Sequence, residues 1–125
     1  MLVGVNVRKA RRFDASLMAG AIRDALAADR LDNAQVVLWD GLIADYCRER
    51  GITYYVRGLR DGADYAYEEG IARVNALLCP RLETLYLRSD SPAVSSSMLR
   101  ELLDFGRDVS AFVPEPVARL IRAES

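Results

Sequence analysis

Apolar and polar positions along the chain follow two rhythms that alternate from end to end. Short, nearly continuous apolar runs recur as LVGVNV (2–7), AQVVLW (34–39), ITYYV (52–56) and ETLYL (83–87). Runs of this length, rich in β-branched and aromatic residues, predict strands, and the continuous apolar run LVGVNV is the kind expected in a sheet covered on both faces. Between them the apolar positions fall at helical spacing. Leu17, Met18, Ala21, Ile22, Ala25 and Leu26 repeat on one face behind Asp14, a residue suited to an N-cap. Leu42, Ile43, Tyr46 and Cys47 form a shorter stripe stopped by Gly51. Asp64 is positioned to cap a longer helix that turns Tyr67, Ile71, Val74 and Leu78 inward and closes near Pro80. A serine run then opens a helix with Met98, Leu99, Leu102 and Leu103 inward and Gly106 at its end, and Pro114 and Pro116 suit the start of a last helix. Strand and helix in strict succession, joined by short connections, predict an α/β fold with a parallel sheet flanked by helices and right-handed crossovers. The tyrosines within the runs, Tyr54, Tyr55 and Tyr86, are expected to be core aromatics.

Composition narrows the chemistry. The chain has 125 residues, 51% of them apolar and 28% charged, with a net charge of −1. That is the size and make-up of one globular domain spanning 1–125, without a basic field to draw nucleic acid or an anionic membrane. No apolar stretch is long enough to cross a bilayer, and Cys47 and Cys79 have no metal-ligand spacing, so reduced core thiols and a cytoplasmic setting are expected. There is no histidine at all. Ser-His and Cys-His nucleophiles, histidine zinc sites and imidazole acid–base chemistry are thereby excluded from these 125 residues.

Ligands of open parallel sheets bind beyond the carboxyl ends of the strands. Those loops read NVRKARRF, DGLIADY, RGLRDGADY and RSDSPAVSSSMLRE. Ser95, Ser96 and Ser97 place hydroxyls and unpaired N–H groups at a helix start, which makes either a cap or a phosphate cradle. Arg57 and Arg60, three apart across a glycine, can grip phosphate oxygens through paired N–H groups or form surface ion pairs with Asp61 or Asp64. Lys9 lies among Arg8, Arg11 and Arg12, either as a solvated basic loop or as part of the same site. The three clusters are expected at one rim of the sheet, and together they favour a polyphosphate site. Neither the G-x-x-x-x-G-K-[ST] loop nor the G-x-G-x-x-G turn is present.

The stretch from DGLIADYCRERGITYYVRGLRDGADYAYEEG through ETLYL, followed by SSSMLRELLDFGRDVSAFVPEPV, resembles phosphopantetheine adenylyltransferase over nearly the whole chain. The RGLR, DYAYE and SSS…GRDVSAFVP blocks are specific in combination. The resemblance implies a Rossmann-like nucleotidyltransferase that transfers an adenylyl group from ATP to 4′-phosphopantetheine, giving dephospho-coenzyme A and pyrophosphate, with Mg2+ accompanying ATP. It implies a cytoplasmic homo-oligomer, hexameric in the family, with no nucleic-acid or membrane partner. Residue by residue, it implies that Arg57 holds a substrate phosphate, Arg60 the ATP phosphates, and Ser95, Ser96 and Ser97 the triphosphate. Tyr67 and Glu68 lie near the adenosine. Lys9 contacts the reacting phosphates, so that Lys9 and Arg60 are the catalytic candidates, and Gly41, Leu42 and Ile43 line the pantetheine arm.

Departures are specific. The family's NP-x-K-x-P-L-F loop reads NVRKARRF, keeping Asn6, Lys9 and Phe13 without either proline, and its MNR reads VNA at 74–76. The loop before the serines is about two residues short. The family also opens with a strand and a turn bearing T/H-x-G-H, whose histidine stabilises charge on the α-phosphate. These 125 residues begin at the family's second strand, so the resemblance implies that competence needs residues outside them. The alternative is a non-catalytic relative that binds a nucleotide or coenzyme A, or an oligomer subunit. In the family strand order 3-2-1-4-5, the missing strand leaves a gap between the runs at 2–7 and 52–56.

Overall fold

The computed structural model describes residues 1–4, 11–88 and 94–124. In chain order its elements are β1 (Leu2–Gly4), α1 (Ala15–Ala28), β2 (Val37–Trp39), α2 (Ile43–Arg50), β3 (Tyr54–Leu59), α3 (Gly62–Leu78), β4 (Glu83–Arg88), α4 (Ser96–Asp104), a 3-10 turn (Ser110–Phe112) and α5 (Glu115–Glu124). The alternation matches the sequence pattern element by element. Among the described residues the strands form two parallel ladders, β1 with β2 and β3 with β4. These are the pairings that the family strand order leaves once its central strand is taken away. The chain divides into two compact units, one built from residues 1–40 and 96–125 and the other from 41–95.

In the first unit Asp14 caps α1 as expected, its side chain accepting from the Leu17 N–H at 3.0 Å. Ala21 of α1 is buried with Val109, Val117 and Ile121, and Leu99, Leu102 and Leu103 of α4 pack on that cluster. Small residues on α1 let it approach its neighbours: Ala19 is fully buried against Val36, just before β2. The Arg23 guanidinium donates to the Val36 carbonyl at 2.9 Å and ties the same helix to the β2 entry. Val109 is inserted by a turn in which Asp108 accepts from both the backbone N–H and the hydroxyl of Ser110, bonds that hold the Asp108 carboxyl below the usual range.

In the second unit Gly51 ends α2 in the left-handed region, φ 65°, as its place behind the apolar stripe predicts. Ala44, Cys47, Cys79 and Leu82 form the core, with Ile43, Ile52 and Tyr55 packed on it. Both thiols are free and buried, in line with the expectation, and burial followed by the neighbouring Cys79 pushes the Cys47 thiol upward.

Three expectations need correction here. The third strand does not stop before the arginine motif: β3 continues through Arg57, Gly58 and Leu59, because β4 pairs with it over six registered positions. The residue capping α3 is Asp61, whose carboxylate accepts from the Asp64 N–H at 2.9 Å, and Asp64 lies in the first turn. The apolar stripe assigned to α3 is also out of phase. Tyr67, Val74 and Leu78 are exposed, whereas Glu68, Asn75 and Cys79 are buried. A polar inward stripe is stable only when its groups are paired, and among the described residues no buried side-chain nitrogen or oxygen lacks a partner.

Side chains of β3 and β4 alternate between two faces. Tyr55 and Arg57 of β3 and Tyr86 of β4 face α3 and share its partners. Tyr54, Val56, Leu85 and Leu87 point the other way and are exposed, Tyr54 to 64%. Tyr54 is therefore not a core residue, because strand alternation points it away from the face on which half-buried Tyr55 packs.

Candidate functional site

Arg57 is held by three side-chain hydrogen bonds that fix the plane of its guanidinium. Its Nε and one terminal nitrogen donate to the two carboxylate oxygens of Glu68, at 2.9 and 2.7 Å. The other terminal nitrogen donates to the Tyr55 hydroxyl at 3.1 Å, and the guanidinium carbon lies 5.4 Å from the centre of the Tyr55 ring. The arrangement follows from local periodicities. Residues 55 and 57 share a strand face, and Glu68 lies on the inward line of α3 above that face. Glu68 is 8% exposed, so its charge is stable there only because the fork of Arg57 meets both oxygens. The Glu68 hydrogen bonds push the Arg57 pKa above its ordinary value, and burial pushes the Tyr55 phenol upward. The product is a pre-oriented cation with three of its five N–H groups engaged from behind.

Arg60 lies just past the end of β3 and is gripped differently. Its backbone N–H and Nε donate to one oxygen of Asp64, at 3.1 and 2.8 Å, and a terminal nitrogen donates to the other oxygen at 3.2 Å. Hydrogen bonding by Arg60 holds the Asp64 carboxyl below the usual range. This is the ion pair that the i,i+4 spacing allows, and a phosphate reaching Arg60 has to share it with Asp64. Register sets Leu59 opposite Arg88, which brings a further cation to the same edge of the β3–β4 ladder.

The remaining sequence candidates are distributed as follows. Tyr67 projects from α3 with 70% of its surface exposed. Gly41 precedes α2, Leu42 is its exposed N-cap, and Ile43 packs on the Cys47–Cys79 core. Ser96 and Ser97 open α4 and are exposed, and the Ser97 hydroxyl accepts from Arg100 at 3.3 Å. Ser95 immediately precedes that helix. Arg57, Arg60, Tyr67, Glu68 and residues 41–43 belong to the second unit with Ser95, whereas Ser96 and Ser97 belong to the first. Lys9 and Asn6 lie outside the described residues. Sequence reasoning treated Tyr55 as core and left Arg88 unremarked. The i,i+2 spacing to Arg57 and the strand register are the signals that reveal them.

No family model matches the chain. Individual relatives do match. A phosphopantetheine adenylyltransferase from Shouchella clausii is 39% identical over 120 residues, covering 94% of this chain and 74% of the relative. Proteins of the same name from Rhizobium meliloti and Bifidobacterium longum are 36% and 37% identical, covering 98% and 97% of this chain and 78% and 74% of theirs. With identity at this level over nearly the whole chain and about three quarters of each relative, the chain belongs to the phosphopantetheine adenylyltransferase family.

Proposed function

We propose that this protein transfers the adenylyl group of ATP to 4′-phosphopantetheine, forming dephospho-coenzyme A and pyrophosphate in coenzyme A biosynthesis. A phosphate oxygen of the acceptor attacks the α-phosphorus, a new phosphorus–oxygen bond forms, and the bond to the β-phosphate oxygen breaks as pyrophosphate leaves. The observation that carries the reading is the Arg57–Glu68–Tyr55 array. A guanidinium locked from behind is what an acceptor phosphate needs if it is to be aimed in line instead of merely attracted. In this reading Arg57 takes the acceptor phosphate and Arg60 the β- and γ-phosphates in partial exchange for Asp64. Ser95, Ser96 and Ser97 offer N–H and hydroxyl donors to the triphosphate at the start of α4. Lys9 meets the reacting phosphates, Tyr67 and Glu68 lie on the adenosine side, and Gly41, Leu42 and Ile43 lie beside the pantetheine arm.

Mg2+ fits this chemistry as a companion of the nucleotide. Among the described residues no group of three or more carboxylate, thiol or imidazole side chains gathers. When bound with ATP, Mg2+ would be held mainly by the nucleotide's phosphates and water, a common arrangement for this ion. A homo-oligomer, hexameric as the resemblance implies, and a cytoplasmic location complete the proposal. Among the described residues no helix is long and apolar enough to cross a membrane.

The test is synthesis of dephospho-coenzyme A by the intact gene product from ATP, Mg2+ and 4′-phosphopantetheine, followed by product mass and pyrophosphate release. Turnover that falls at least a hundredfold in Arg57→Gln supports the reading. Binding of ATP or coenzyme A without any product refutes it.

A further inference from the structure

The second compact unit holds two thiols that the adenylyl-transfer reading does not use. Cys47 belongs to α2, and Cys79 caps the end of α3. Both are free, each is 4% exposed, and they share one buried cluster with Ala44 and Leu82. The backbone is pinned at each of them. The Cys47 carbonyl accepts from the Ile52 N–H at 2.9 Å, and the Cys79 N–H donates to the Asn75 carbonyl at 2.7 Å. Both residues also line a cavity of about 370 Å3, so a small molecule that enters it meets two thiol-bearing positions. Neither Arg57 nor Arg60 lines that cavity.

Chemistry selects what such a pair takes. Burial, and then the neighbouring Cys79, holds the Cys47 thiol above its ordinary pKa, so reagents that need a thiolate react slowly with it. An ion held by two thiolates would bring charge into an apolar cluster, at a high cost in desolvation. Among the described residues no group of three or more metal-ligating side chains gathers, so a tetrahedral metal site is not completed either. Trivalent arsenic satisfies all three conditions: it condenses with neutral thiols, needs only two of them, and gives an uncharged product. We propose that Cys47 and Cys79 form a dithiol site for organic arsenicals that carry two hydroxyls on one trivalent arsenic, with the arsenic bridging the two sulfurs and its organic group in the cavity. Two sulfur–arsenic bonds form and two arsenic–oxygen bonds break. Each thiol hydrogen leaves with a hydroxyl as water, and arsenic stays trivalent, so no oxidant is consumed.

Native mass spectrometry of the intact, fully reduced protein treated with phenylarsine oxide, which hydrates to this form, tests the proposal and reads mass instead of turnover. These 125 residues contain no other cysteine, and one adduct per chain is expected, heavier by one phenylarsenic unit less two hydrogens. Dimercaptopropanol, a vicinal dithiol, should strip the adduct. Glutathione at the same thiol concentration should not, because the second protein sulfur is held at high effective concentration. Cys47→Ala and Cys79→Ala, small apolar replacements for residues that pack as small hydrophobes, should each weaken binding at least a hundredfold while keeping the parent's far-ultraviolet circular dichroism. If either variant fails to fold, the reversal experiment on the parent decides alone. An adduct that forms only after unfolding in guanidinium, an adduct that glutathione removes, two adducts per chain, or unchanged affinity in either folded variant overturns the site.

Discussion

Replacing Glu68 by glutamine isolates the charge beneath Arg57. The substitution keeps the side chain's shape and one acceptor oxygen, removes the negative charge, and turns an NH2 group toward one of the two donating nitrogens. Breaking one side of a fully buried ion pair costs about 3–5 kcal/mol, whereas an exposed pair contributes about 0–1 kcal/mol. The site lies between these limits, because Glu68 is 8% exposed but the Arg57 side chain is 39% exposed and water can re-solvate it. One charge-assisted bond is lost, about 1.5–3 kcal/mol, and exposure of the arginine places the expected cost in the lower part, about 1.5–2 kcal/mol. At about 3–5 °C per kcal/mol for a chain of this size, the melting temperature should fall by about 5–10 °C. Differential scanning calorimetry of Glu68→Gln, Arg57→Gln and the double variant reads the coupling directly. A Tm within about 1 °C of the parent, or a coupling below about 0.5 kcal/mol, would refute the claim that burial of Glu68 makes this pair matter.

Three further outcomes follow from the geometry. The Tyr86 phenol, pushed up to about 12 by burial and then by its 2.8 Å hydrogen bond to Glu69, is protonated more readily in the folded chain than in the unfolded one. Its contribution is therefore complete below pH 10 and lost as pH rises toward 12, a decline that calorimetric melts in Tyr86→Phe should lack. Gly51→Ala should cost about 1 kcal/mol from its left-handed backbone alone, since nothing lies within 4 Å of the added carbon, while Gly58→Ala, equally open and without positive φ, should lack that penalty in urea titrations. Asp14→Ala removes the bond to the Leu17 N–H and should cost about 1 kcal/mol by the same measurement.

Legibility in the sequence depended on whether a signal was local. The Asp14 cap and the Gly51 stop are decided within one helical turn, and both stand where the pattern places them. The phase of α3 is not local. Tyr67, Ile71, Val74 and Leu78 make an apolar stripe, yet the helix turns Glu68 and Asn75 inward, and Arg57 on a separate strand compensates the buried carboxylate. The extent of β3 was missed for the same reason. Arginine and glycine are poor strand formers on their own, and only the β4 ladder with the acid beneath keeps them extended. At the candidate site the sequence singled out Arg57, Arg60 and Glu68 as candidates. Which acid each arginine pairs with, Glu68 for Arg57 and Asp64 for Arg60, emerged only in three dimensions.

The outward Tyr54 and Val56, whose row continues in Leu85 and Leu87 of β4, separate two tasks along β3. Odd-numbered positions of β3 carry the guanidinium and its hydroxyl partner, so they tolerate little change. Even-numbered ones meet water and can be rewritten with lysine or threonine to improve handling at high concentration. Engineering of this segment thus has an alternating grain: one residue fixed by chemistry, the next free for colloidal behaviour.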